Sequence, residues 1–198
     1  MSSNHLISAL LFVLLSACTG SPQVQYYVLE PLSQTSPATT GTKKQVLIGI
    51  GPISVPALLD SKKIITRSSN NSVQIAESQQ WATSLEDSLL QTVTNNLTTL
   101  QPANIVRAYP WSVHGTVDLQ IIVDFVRFDT TPGKSVNLEA KWTIKSESNL
   151  VILKNGRSVI THPLDDSSFP GTVRALSKIL GQFSQELSLA IRQVEAKH

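Results

Sequence analysis

A single cysteine, Cys18, stands in 198 residues, so no disulfide can form within the chain. Aromatic residues make up only 6% of the sequence, too few to supply base-stacking platforms. Lys and Arg number 16 against 14 Asp and Glu, and no run of like charge exceeds two residues. That balance leaves no basic stripe and argues against nucleic acid as a partner. No long hydrophobic run is present either. The most apolar stretch, Leu6 to Leu15, falls well short of the ~20 residues a membrane-spanning helix needs.

Enzyme signatures are equally scarce. Gly49-Ile50-Gly51 lacks a third glycine and runs into Pro52 instead of opening a helix, which excludes a dinucleotide fingerprint. His5, His114, His162 and His198 have no ligand-like spacing, so no metal site is expected. Asp118 and Asp124 share a strand face but stand roughly 20 Å apart at strand rise, too far to act on one bond. Ser112 and His114 lie near each other in sequence without a nucleophile elbow around them. The expectation is a protein that is not an enzyme and has no cofactor.

What is present begins with Leu15-Ser16-Ala17-Cys18. Branched apolar, small, small, cysteine is the order of a bacterial lipobox. The small residues admit a signal peptidase before Cys18, whose thiol then carries a diacylglycerol and whose freed amine is acylated. A plain secretory signal, or a buried helix with a stray cysteine, is the blander alternative. The odd cysteine count favours lipidation, although Met1 to His5 lacks the Lys or Arg usual in an n-region. Three acyl chains exceed what stable anchoring requires. Thr19, where an Asp would favour retention on the inner membrane, points to the periplasmic face of the outer membrane. The expected organisation is a signal peptide at 1–17, a lipid-anchored tether at 18–24 and one domain at 25–198. From Thr19 to Gln25 the tether reaches at most about 25 Å, so the body sits close to the headgroups.

Along the domain, Gln25 to Leu29 reads as a short strand ending at Pro31, and Ser33 to Thr42 as a surface loop. Val46 to Ile50 reads as a strand closed by Gly51-Pro52. Lys63–Arg67 and Ser72–Ala76 flank a polar turn and read as a hairpin. Trp81, Leu85, Leu89, Val93 and Leu97 form one helical stripe, ended by Pro102. Val117 to Phe125 and Val136 to Ile144 alternate as strands around the turn Thr131–Lys134. Asn155-Gly156, between two β-type runs, carries a strong hairpin signal. A last amphipathic helix joins Val173, Leu176, Leu180, Phe183, Leu187, Ile191 and Val194, with Ser168 as cap and Pro170 in its first turn. Gly181 inside it implies close packing. Trp81 and Trp142 read as core, whereas Trp111 lies off any stripe. The fold class expected is α+β: a mixed or antiparallel sheet with two amphipathic helices on one face, in a single domain.

Several segments together resemble the ABC-type transport auxiliary lipoproteins, the PqiC-like or YmbA-like family. They are Tyr26-Tyr27-Val28-Leu29, Ile48-Gly49-Ile50-Gly51-Pro52-Ile53, Pro56-Ala57-Leu58-Leu59-Asp60, Ile65-Thr66-Arg67, Glu77 with Trp81-Ala82 and Leu85, and Leu138-Glu139-Ala140-Lys141-Trp142. Leu58 departs from the pattern, since many relatives carry an aromatic there, and Lys145 to Leu153 is longer than the family pattern. The resemblance implies a non-enzymatic accessory of an intermembrane lipid-transport system. Its implied partners are an MCE-domain periplasmic protein and an inner-membrane transport component. Leu58-Leu59, an apolar pair in a loop, makes Pro56, Leu58, Leu59 and Asp60 the expected partner contact, with a loop tucked into the core as the alternative. A homo-oligomer is possible. The competing reading is an outer-membrane assembly or envelope-integrity lipoprotein that binds protein or peptidoglycan.

Overall fold

Leu119, Ile121, Val123 and Phe125 alternate with Gln120, Ile122 and Asp124, and β6 (Leu119–Thr131) buries the first set against helices. A bulge between Phe125 and Arg127 then shifts the register, so that Phe128 and Thr130 take over the inward side. In the computed structural model, which describes residues 23–33, 45–68, 71–111 and 115–197, this strand is the spine of the domain. Cys18, its tether as far as Pro22, Ser112, His114 and residues 34–44 lie outside the described residues.

One edge of β6 pairs antiparallel with β7 (Ser135–Ser146), which pairs antiparallel with β8 (Ile152–Pro163). The other edge is shared. Its first half pairs in parallel with β2 (Leu47–Ser54), which carries β5 (Ile105–Ala108) as its outer neighbour. Its far end pairs with β3 (Lys63–Arg67) at Thr66 and Thr130, followed outward by β4 (Val73–Trp81) and β1 (Gln25–Tyr27). The result is one mixed sheet of 8 strands.

Helices α1 (Leu85–Leu100) and α2 (Phe169–Glu195) pack on each other and on one face of the sheet, α1 over β2 and β5, α2 over β6 to β8. Phe183, Leu180 and Leu187 of α2 are fully buried between them and the sheet. The expected α+β class, single domain and one-sided helical layer are therefore found. Both helices run opposite to β6. One pole of the domain holds the β6–β7 turn and the start of α2, and the other holds the β7–β8 turn and both helix C-termini.

Three local expectations are corrected. Trp81 ends β4 rather than opening the helix; its ring is buried all the same. Ser84 caps α1 by accepting from the Asp87 backbone N–H at 3.0 Å, so the spacing of Trp81 to Leu85 mimicked a helical turn across the cap. β2 is not closed by Gly51-Pro52: the strand steps over that dipeptide and resumes pairing at Ile53 opposite Val123.

The third correction is the largest. Asn155-Gly156 makes no turn, because β8 runs unbroken through it and Gly156 lies directly opposite Trp142. A Cβ at 156 would stand 2.3 Å from Trp142 Cζ2, so glycine is there to let the indole lie across the strand. The actual turn joins β7 and β8 earlier. It is held by the Ser146 N–H donating to the Val151 carbonyl at 2.9 Å, and Leu150 adopts a left-handed φ of 58°.

Candidate functional site

From residue 23 the described chain leads at once into the edge strand of the sheet. β1 pairs in parallel with β4, from Gln25 opposite Gln79 to Tyr27 opposite Trp81. The Tyr27 hydroxyl donates to Gln79 Oε1 at 2.6 Å, and its ring approaches Phe169 at 6.4 Å between centroids. The chain then leaves the sheet edge and crosses both helices. Leu29 is buried, the Glu30 N–H donates to Ser177 Oγ of α2 at 3.0 Å, and the Leu32 N–H donates to Asn96 Oδ1 of α1 at 2.6 Å.

Asn96 is fully buried, and its Nδ2 donates in turn to Ser184 Oγ of α2 at 3.0 Å. One amide therefore joins α1, α2 and the N-terminal segment. Leu32 also explains Gly181: a Cβ there would meet Leu32 Cδ2 at 2.9 Å, so the close packing expected at that glycine is with the N-terminal strap. Asn96 is not among the residues that the sequence alone singled out. Its position three residues after Val93 on the buried stripe was the available signal. Replacing it with alanine leaves the Leu32 N–H without its side-chain acceptor and the Ser184 hydroxyl without that donor. Asn96→Ala is expected to lower stability by about 1–3 kcal/mol and to speed proteolysis ahead of Glu30, both measurable on the purified domain.

The Pro56–Asp60 loop folds into a tight turn, with the Leu59 and Asp60 N–H groups donating to the Pro56 carbonyl at 2.7 and 3.1 Å. The apolar pair is split. Leu59 is buried among Ile64, Trp81, Leu85 and Leu176. Leu58 is 42% exposed, Asp60 is exposed and Pro56 half-buried. Leu59 is therefore tucked into the core, the alternative reading of this loop, and of the pair only Leu58 turns its side chain to solvent.

The outer face of the sheet carries a polar centre that the sequence did not reveal. Asp129 is 2% exposed and accepts from Arg67 Nε at 3.0 Å, Arg127 Nε at 2.9 Å and Asn137 Nδ2 at 3.3 Å. It ties β3, β6 and β7 together. Two open clefts of about 390 and 660 Å³ adjoin at the pole of the helix C-termini and share Val46, Asp118 and Glu195. Trp111 is half-buried and meets Tyr109 edge-on at 5.3 Å. Asp118 and Asp124 hold the backbone and a neighbour: Asp118 accepts from the Leu47 N–H and Asp124 from Ser54 Oγ, at 2.8 and 2.6 Å. No cluster of His, Cys, Asp and Glu that could hold a metal occurs among the described residues, and no described helix is long and apolar enough to cross a membrane.

This is an α+β domain whose N-terminal strap is built into its sheet and helices. The sequence profile of the ABC-type transport auxiliary lipoprotein component matches residues 27–188, and the chain belongs to that family. It is 25% identical over 139 residues to the intermembrane transport lipoprotein PqiC of Escherichia coli K12, covering 69% of this chain and 72% of that protein. Among solved structures, the fold is similar to protein XCC0632 from Xanthomonas campestris, with TM-score 0.68, 16% identity, 88% of this chain and 100% of that one. A crystal structure of an uncharacterised protein gives TM-score 0.71 at 18% identity, over 85% of this chain and 99% of that one.

Proposed function

We propose that this protein is a non-enzymatic docking subunit, anchored at the periplasmic face of the outer membrane through a lipid on Cys18. Its partners are an MCE-domain periplasmic protein and, through it, an inner-membrane transport component of an intermembrane lipid-transport system. The observation that carries the reading is the N-terminal strap. A short tether from Cys18 leads into a strand that is hydrogen-bonded into the sheet and clamped to both helices. Force on the anchor is thus passed to the whole body, as a fixed platform requires. The kinship with PqiC, named an intermembrane transport lipoprotein, agrees with this role.

Leu58 is the partner contact in this reading, an exposed leucine on a turn braced by Pro56. Leu58→Glu is expected to reduce co-purification with the MCE-domain partner at least tenfold while leaving the unfolding temperature unchanged, since the side chain lies outside the core. Undiminished co-purification would remove the loop from the interface. Failure of the wild-type chain to co-purify with any MCE-domain protein would remove the proposed function.

A further inference from the structure

Three consecutive aliphatic residues at the β7–β8 turn face solvent: Leu150 is 68% exposed, Val151 50% and Ile152 60%. Leu150 does so at φ 58°, a conformation that Asn or Gly adopts more cheaply than leucine. Neither burial nor turn geometry accounts for an apolar tip here. We propose that this tip is a docking knob for a protein on the periplasmic side, one that presents an apolar recess to receive it.

Its place in the fold selects the occupant. Gln25 pairs with Gln79, and β4 and β3 carry that level across to the far half of β6, whereas the β7–β8 turn is level with Leu119. The tip thus lies about 30 Å along the strand axis from the point where the tether joins the body. A tether that joins in that half leaves the β7–β8 pole directed away from its own bilayer. The chemistry agrees. Lys145, Lys154 and Lys197 around the tip are matched by Asp118, Glu147 and Glu195, with Lys145 and Glu147 paired at 2.9 Å. A lipid-seeking tip carries Trp or Tyr and an excess of Lys and Arg; this one carries neither. The cleft of about 390 Å³ beside it, lined in part by Ser146, Asn149 and Leu153, offers a polar rim for the same partner.

On the function proposed above, the receiving protein is the MCE-domain component, and the inference rests on that reading. The test is photo-crosslinking in cells with the full-length chain, the reactive residue being placed in turn at Val151, at Leu58 and at Lys134 on the opposite pole. An adduct with the MCE-domain protein from position 151 and none from 134 is the expected result. An adduct from 58 alone overturns the inference and leaves the proposed function standing. So does a 151 adduct with phospholipid or with a second copy of this chain, when 58 still captures the MCE-domain protein. No such adduct from any position overturns both. The double variant Leu150→Asn, Val151→Asp is expected to lose at least tenfold in co-purification with an unchanged unfolding temperature, and full retention overturns the knob.

Discussion

Gly156→Val is expected to lower the stability of the domain by about 3 kcal/mol, a loss of roughly 6–12 °C in unfolding temperature. The new side chain begins inside the van der Waals envelope of the Trp142 ring, which would lie 2.3 Å from its Cβ. A rigid indole cannot yield by rotating one terminal bond. It must leave its site, where it is 9% exposed and donates from Nε1 to the buried Ser158 Oγ at 3.2 Å. Strand propensity alone points the other way, since valine is favoured over glycine in a β-strand by up to ~1 kcal/mol. The sign of the measured change therefore decides between local preference and packing. Shortening the tryptophan should recover part of the loss: with Trp142→Leu in the background, Gly156→Val is expected to cost much less, a coupling readable in a double-mutant cycle. Equal costs in both backgrounds would contradict the contact.

Asp129→Ala is expected to cost about 2–3 kcal/mol, measured by denaturant unfolding. The carboxylate is almost fully enclosed and serves two guanidinium groups and one amide. Its removal leaves the 6%-exposed Asn137 amide short of an acceptor and sets Arg67 and Arg127 near each other without a counter-charge. The cost stays at the lower end for a broken ion pair because the arginine side chains are 41% and 37% exposed and water can solvate them. Asp129→Asn keeps an acceptor oxygen and should fall between wild type and alanine. A neutral Asp129→Ala would mean that the cluster contributes nothing to holding β3 against β6.

What could be read from the sequence was governed by periodicity. The long alternations of β6 and β7 and the sustained stripe of α2 specify their elements because many residues agree on one face. Short signals failed where a tertiary neighbour overrode them. Asn155-Gly156 carries turn chemistry, yet the glycine exists to admit the Trp142 indole, a contact 14 residues away in sequence that no local window contains. Trp81 fitted the stripe of α1 because one strand residue and a capped helix start happened to share its spacing. The Pro56–Asp60 loop was legible as a loop, but which leucine of its pair turns inward depends on the pocket made by Trp81, Leu85 and Leu176. Asn96 and Asp129 were hard to single out for a related reason. Polar residues join a core only when partners from other elements satisfy them, and those partners lie far along the chain.

On the function proposed above, Cys18 is the point at which the domain is attached to its membrane. Intact-mass and peptide analysis of the mature protein extracted from the cell envelope tests this attachment. The expected product is a chain beginning at Cys18, its sulfur carrying diacylglycerol and its amine a third acyl group. A mature chain with a free Cys18 thiol, or one still bearing residues 1–17, would contradict it.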